Sequence, residues 1–93
     1  MKIRVQSFAR FREIFGSEQI REMVEEEATL GALLLEIAAE SPAARSALFD
    51  EDGILRKYII LMRNKKRVNR EEIAAIILND GDEIALYPPV AGG

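Results

Sequence analysis

Polar and apolar residues alternate from Lys2 to Phe8. Ile3, Val5 and Ser7 share one parity; Lys2, Arg4, Gln6 and Phe8 share the other. A period of two predicts a half-buried strand with Ile3 and Val5 inward; Phe8 then lies on the outward face, or turns in if the strand ends or bulges at Ser7. Arg10 to Gly16 predicts one helical turn, with Gly16 as a left-handed stop and Phe11, Ile14 and Phe15 closing the bottom of a core. Over Ser17–Glu25, apolar Ile20 and Val24 stand among Glu18, Arg21, Glu22 and Glu25, with Met23 breaking strict alternation. A second strand is expected there, paired with the first as an antiparallel hairpin. Leu30, Leu33, Leu34, Ile37 and Ala38 then fall at i, i+3, i+4, i+7 and i+8. That is the apolar stripe of a helix that covers a sheet, with Thr29 placed to cap it and Glu25-Glu26-Glu27 near its positive end.

Ser41-Pro42 ends this helix, because the residue before proline avoids helical geometry. Pro42 can itself open a short second helix capped by Ser41, expected along the sheet edge with Leu48 and Phe49 inward. Asp50-Glu51-Asp52-Gly53 reads as a turn. As a calcium loop it fails, since its twelfth position would be Leu61 instead of a bidentate glutamate, so no metal site is expected. Ile54 to Arg63 is apolar at both parities, which suggests a central strand covered on both sides. Lys57 and Arg63 share parity with Ile59 and Leu61, which assigns Ile59 and Leu61 to the outer face. Asn64-Lys65-Lys66-Arg67 reads as a turn leading into a short strand at Val68. Arg63, Lys65, Lys66, Arg67 and Arg70 form a basic cluster, either a solvated hairpin tip or a contact for an anionic partner. Arg70–Ile77 is ambiguous between a helical turn and an irregular crossing. Asn79-Asp80-Gly81-Asp82 is a strong turn signal. Glu83 to Tyr87 alternates again, with Ile84 and Leu86 inward and Glu83, Ala85 and Tyr87 outward.

The chain then reads Pro88-Pro89-Val90-Ala91-Gly92-Gly93. Two prolines cannot continue a central strand and favour an extended path away from the body. Gly92 and Gly93 have no Cβ, so they make a thread that can enter a narrow channel. Extended, these residues reach at most roughly 20 Å, far enough to put a terminal carboxylate into a neighbouring active site. The expected division is a folded domain over residues 1–87 and a flexible tail over residues 88–93.

Composition narrows the functional classes. A chain of 93 residues is one domain, and it contains no Cys and no His. There is then no thiolate nucleophile, no imidazole ligand and no side chain with an unperturbed pKa near neutrality. A carrier, subunit or binding module is favoured over an independent enzyme. A net charge of −3 argues against nucleic-acid binding. No apolar run has the length of a membrane span and the N-terminus has no signal-like apolar stretch, so a cytoplasmic location is expected.

Strand, strand, helix, strand, short strand, strand is economical as a mixed sheet wrapped around one helix. The expected class is α+β with the ubiquitin-like β-grasp layout: four to five strands around one long helix, with a short second helix. The first and last strands would lie parallel at the centre. At this point the sequence resembles the molybdopterin synthase small-subunit (MoaD-like) family within the ubiquitin-like sulfur carriers. Phe8-Ala9-Arg10-Phe11-Arg12-Glu13-Ile14-Phe15-Gly16 fits the family's "Phe-Ala, two residues, Arg-Glu, two residues, Gly" segment. Asn64 ends the third long strand where the family typically has Asn, and Asp80 to Gly93 follows the family pattern throughout. The segment between Val68 and Asn79 and the basic Lys65-Lys66-Arg67 depart from it.

The resemblance implies that the Gly93 carboxylate is activated with ATP by an adenylyltransferase related to ubiquitin-activating enzymes. A sulfur donor then replaces AMP, leaving a thiocarboxylate. No cofactor is expected on the chain itself. The loaded carrier would dock on the synthase large subunit with Pro88, Pro89, Val90, Ala91 and the narrow Gly92 inserted in that subunit's active site. Phe8 and Tyr87, on the outward face of adjacent strands, match the family's partner interface, and Ile59 and Leu61 are expected to join them. The same activated end also suits a protein modifier joined to lysine, or a sulfur carrier for tRNA thiolation or thiamine.

Overall fold

Leu30–Ala38 forms the helix, α2, around which the other elements pack. All five predicted stripe residues, Leu30, Leu33, Leu34, Ile37 and Ala38, are buried. The structure, a computed structural model, describes residues 1–88. The start of α2 shows how its unpaired backbone donors are satisfied. Thr29 Oγ1 accepts from the Ala32 N–H (3.1 Å), the N-cap bond expected of Thr. The Leu30 and Gly31 N–H groups donate to the Ile76 and Ile73 carbonyls (2.9 Å each). These first N–H groups have no partner inside a helix. The segment 73–77, ambiguous in the sequence, is therefore a strap across the helix start, entered by a 3₁₀ turn over Arg70–Glu72. A Cβ at Gly31 would stand 3.4 Å from the Ile73 carbonyl oxygen, an ordinary contact distance.

The sheet has five strands: β1 (Lys2–Ser7), β2 (Glu18–Glu22), β3 (Ile60–Arg63), β4 (Lys66–Arg67) and β5 (Glu83–Tyr87). Their spatial order is β2-β1-β5-β3-β4. β1 and β5 are parallel at the centre, with Val5 beside Ile84 and Ser7 beside Leu86, and the remaining pairs are antiparallel. This is the ubiquitin-like β-grasp. Ile3, Val5, Ile84 and Leu86 are fully buried beneath α2.

Two short helices complete the core side. In α1 (Phe11–Phe15), Phe11 is buried and meets Phe15 edge-on at 5.4 Å, but Ile14 is 40% exposed and does not close the core. Gly16 has φ 82° with ψ 161°, so it turns straight into extended β2 and is not a left-handed helical stop. Ser41 Oγ caps α3 (Pro42–Leu48) by accepting from the Ala44 N–H (3.0 Å). Leu48 and Phe49 point inward as expected, but α3 packs on α2 and α1 instead of lying along a sheet edge.

The structure fixes the facing of one strand and corrects two strand assignments. In β2 the inward parity is Gln19, Arg21 and then Met23, while Ile20 is 57% and Val24 93% exposed. The register with β1 sets Gln19 and Arg21 opposite Val5 and Ile3, and Arg21 pairs with Glu40, beyond the C-terminal end of α2. In the 54–63 segment only Ile60–Arg63 is strand, and Ile59 and Leu61 are buried in the core. Leu61 lies opposite Leu86 and Ile60 opposite Tyr87, so the β5 register fixes which parity faces outward. It is Ile60 and Met62. The short fourth strand begins at Lys66 instead of Val68, because Asn64 and Lys65 alone make the turn, with φ of 49° and 70°.

A polar clamp closes the opposite end of the sheet. Buried Asp82 accepts from Arg63 Nε (3.0 Å), Asn64 Nδ2 (3.0 Å) and the Asn79 N–H (2.8 Å). Asn64 also exchanges bonds with Glu83, donating its N–H to the Glu83 carbonyl (2.8 Å) and accepting the Glu83 N–H on Oδ1 (2.9 Å). Burial pushes the Asp82 carboxyl pKa up, but the bonds from Asn79, Asn64 and Arg63 outweigh it and hold the pKa below its ordinary value. The stability from Asp82 is then complete above the unfolded value of about 3.9 and is lost as pH falls through the lowered folded value.

Two predictions follow from the core and the clamp. Asp82→Asn should lower unfolding free energy by about 3 kcal/mol at neutral pH. Urea titrations should also show a flatter acid limb for this variant than for the native chain; identical acid limbs would contradict the clamp. Leu61→Ala should cost about 3 kcal/mol and Ile60→Ala about 1 kcal/mol or less, in the same assay. The reverse order would restore the opposite facing of this strand.

Candidate outer-face interface and C-terminal tail

The surface of the sheet away from α2 gathers the outward residues of three strands. Gln6 on β1, Glu83, Ala85 and Tyr87 on β5, and Ile60 and Met62 on β3 all have the outward parity and are half-buried. One step beyond β1, the Phe8 N–H donates to the Leu86 carbonyl (3.1 Å), which extends the parallel pairing by a residue. That extension sets Phe8 beside Tyr87. Their rings stack with centroids 4.4 Å apart and planes within 5°. Ala9, with φ 52°, then turns the chain into α1. Phe8 therefore stays outside and does not turn into the core.

Next to the stack is a shallow depression of about 220 Å³ whose walls include Gln6, Met62, Ala85 and Tyr87. Lys65 and Glu83 complete its lining. An offset aromatic pair beside such a depression is suited to anchor a partner, since Tyr and Phe bring a large apolar area at low conformational cost. Charges at the margin are solvated. Arg4 pairs with Glu18 at 3.0 Å and with Glu83 at 3.8 Å, and exposed pairs of this kind add little stability.

Of the residues that the sequence assigns to partner binding, Phe8 and Tyr87 come together on this face. Ile59 and Leu61 do not; Ile60 and Met62 occupy the positions expected of them. Sequence reading missed these two because the run Ile59-Ile60-Leu61-Met62 is apolar at both parities. The signal that identifies them is pairing with β5, where the outward parity is already fixed by Tyr87. Pro88 is buried, so the folded body reaches one residue past β5. The rest of the tail expected over residues 88–93, Pro89, Val90, Ala91, Gly92 and Gly93, lies outside the described residues.

Asp50 is occupied by its own turn. Its Oδ1 accepts the N–H groups of Asp52 (2.9 Å) and Ile54 (3.0 Å). Among the described residues no group of three acidic side chains is arranged to hold a metal ion, and no helix is long and apolar enough to cross a membrane.

Known proteins share both the sequence and the shape. Residues 5–93 match the ThiS family. Small archaeal modifier protein 3 of Haloferax volcanii is 34% identical over 93 residues, with all of both chains covered. The molybdopterin synthase sulfur carrier subunit of Escherichia coli is 37% identical over 91 residues, covering 98% of this chain and 99% of that one. The crystal structure of SAMP1 from Haloferax volcanii superposes over the full length of both chains with a TM-score of 0.84 at 31% identity. This chain belongs to the ThiS family, the ubiquitin-like β-grasp proteins that act as sulfur carriers and modifiers.

Proposed function

We propose that this chain is the sulfur-carrying subunit of a molybdopterin synthase. The observation that carries the reading is the stacked Phe8–Tyr87 pair on the outer sheet face, one residue before Pro88. It offers a partner a rigid anchor next to the chain that leads to Gly92-Gly93. The family match, which runs through Gly93, supports the same reading.

The chemistry needs little from the body. A terminal carboxylate with a pKa near 3.5 is ionised at neutral pH and can attack the α-phosphorus of ATP. Pyrophosphate leaves and an acyl-adenylate remains, which is the acyl donor that the free carboxylate is not. A sulfur nucleophile displaces AMP and leaves a thiocarboxylate on Gly93. The large subunit receives this end in its active site, where the sulfur passes to a pterin precursor. ATP belongs to the activating enzyme, a relative of ubiquitin-activating enzymes. The carrier contributes an unbranched approach at Gly92 and a docking face at Phe8, Tyr87, Ile60 and Met62. It works in the cytoplasm on this reading.

A second reading is favoured by the likeness to a small archaeal modifier protein. There the same activated Gly93 is transferred to a lysine amine on another protein. Intact-mass analysis of the chain from native cells separates the two. One oxygen exchanged for sulfur marks the carrier; covalent ladders on other proteins mark the modifier. Neither form in the presence of the activating enzyme would overturn both.

Deleting Gly93 should abolish sulfur loading while the unfolding transition stays unchanged. A truncated chain that still loads would refute the role of that carboxylate. Tyr87→Ala should weaken binding to the large subunit by about 2 kcal/mol and fold stability by about 1 kcal/mol. Unaltered affinity in a calorimetric titration would remove the stacked pair from the interface.

A further inference from the structure

The basic cluster has a structural counterpart that the outer-face interface leaves unused. Beyond the Ile60–Tyr87 pair, the segment Lys57–Ile59 and the segment Arg67–Arg70 diverge and leave a groove of about 640 Å³. Its walls carry Lys57, Tyr58, Ile59, Arg67 and Arg70, and no carboxylate. Arg70 is fixed in place: its guanidinium donates to the backbone carbonyls of Arg56 (3.0 Å) and Leu55. Lys57 and Arg67 are exposed and have no ion-pair partner among the described residues. Three cations thus line one groove on a chain whose net charge is −3.

Tyr58 adds a second, independent feature. It is 77% exposed, and its φ is 70°. A bulky side chain at positive φ is an uncommon and strained conformation. The core gains nothing from it, since the ring packs outside. What the conformation does is hold an aromatic ring at the rim of a basic groove.

The groove also lies at the base of the tail. Ile59, which lines it, is one residue from the Ile60–Tyr87 pair, and Pro88 is one residue beyond that pair on the other strand. An enzyme that takes the chain beyond Pro88 into its active site must cover the surface around this point.

We infer that the groove receives an acidic peptide segment of the activating enzyme, with carboxylates between Lys57 and Arg67 and Tyr58 as the aromatic anchor. The inference rests on the reading of Gly93 as an end that another protein adenylates. Charge complementarity selects a short acidic segment over RNA. A polyanion would meet net repulsion from a chain of pI about 5.0, and the cations are confined to one groove instead of forming a stripe. Contacts of this kind act mainly on encounter rate and salt dependence.

Two measurements on the full chain test it. First, the isotopically labelled protein is titrated at low salt with an acetylated oligoglutamate peptide, and separately with oligouridylate and with ATP. Resonance shifts confined to Lys57, Tyr58, Arg67 and Arg70 with the peptide, weakened by added salt and lost in a Lys57→Glu/Arg67→Glu variant, support the groove. Shifts elsewhere, none at all, or tighter binding of oligouridylate or ATP at these residues overturn it. Second, pyrophosphate release by the activating enzyme is followed as carrier concentration is varied. The double variant should raise KM for the carrier about tenfold with kcat unchanged. A Lys57→Gln/Arg67→Gln variant, which removes charge without reversing it, should fall between the two. An unchanged KM overturns the inference while leaving adenylation of Gly93 intact. Failure of the native chain to be adenylated overturns the proposed function, and the peptide titration still decides the groove.

Discussion

Everything in this fold answers to the parallel pairing of β1 with β5. Parallel neighbours cannot be joined by a tight turn, so the chain between them must leave the sheet and return. Here that excursion is nearly the whole protein: a hairpin, three helices, β3, β4 and the strap 73–77. The pairing also fixes where apolar surface must go. Ile3 and Val5 on one strand, Ile84 and Leu86 on the other, form the most deeply buried ridge of the sheet. α2 is the one element long enough to cover it, so its five-residue stripe and its capped start follow from the same demand. The outer face inherits its organisation too. Residues of opposite parity on the two central strands are obliged to meet, and Phe8 stacks on Tyr87 as a result.

Much of this was legible before any coordinates. The α2 stripe has a single unambiguous period, and Thr29 and Ser41 are caps whose side chains act locally, so both were readable from neighbouring residues. Tyr87 was legible because it lies on a strand with clean alternation, whereas Phe8, one step past β1, was open between the outward face and the core. Three features were not legible. The β3 run is apolar at both parities, so its facing depends on a partner strand 25 residues away. In β2 the pairing with β1 sets Gln19 and Arg21 opposite Val5 and Ile3 and so on the inward parity, and Arg21 meets Glu40 just past α2, contacts with no local trace. The strap 73–77 works through its backbone carbonyls, which leave no pattern in side-chain type. The site shows the same division. The aromatic anchor was visible in the sequence, whereas the part played by Ile60 and Met62 required the register.

Charge is distributed with the same economy. Asp82 spends its carboxylate on Arg63, Asn64 and Asn79, locking the β3–β4 hairpin to the start of β5. Arg63 is neutralised there, whereas Lys57, before β3, and Arg67, on β4, have no ion-pair partner among the described residues. Asn64 is the link between the two halves of this clamp. Its conformation, φ 49°, is one that Asn tolerates better than most residues. A position that reads as a family signature in the sequence is thus held by geometry: it must turn the chain and pair with Glu83 at once.

The origin of β5 has a consequence for how the protein is made. In chain order the strand that completes the centre of the sheet, residues 83–87, is synthesised after every other described element. Until it emerges, β1 has no inner neighbour and Phe8 has no ring to stack on. A chain that stops before Glu83 therefore presents neither the closed sheet nor the stacked Phe8–Tyr87 pair.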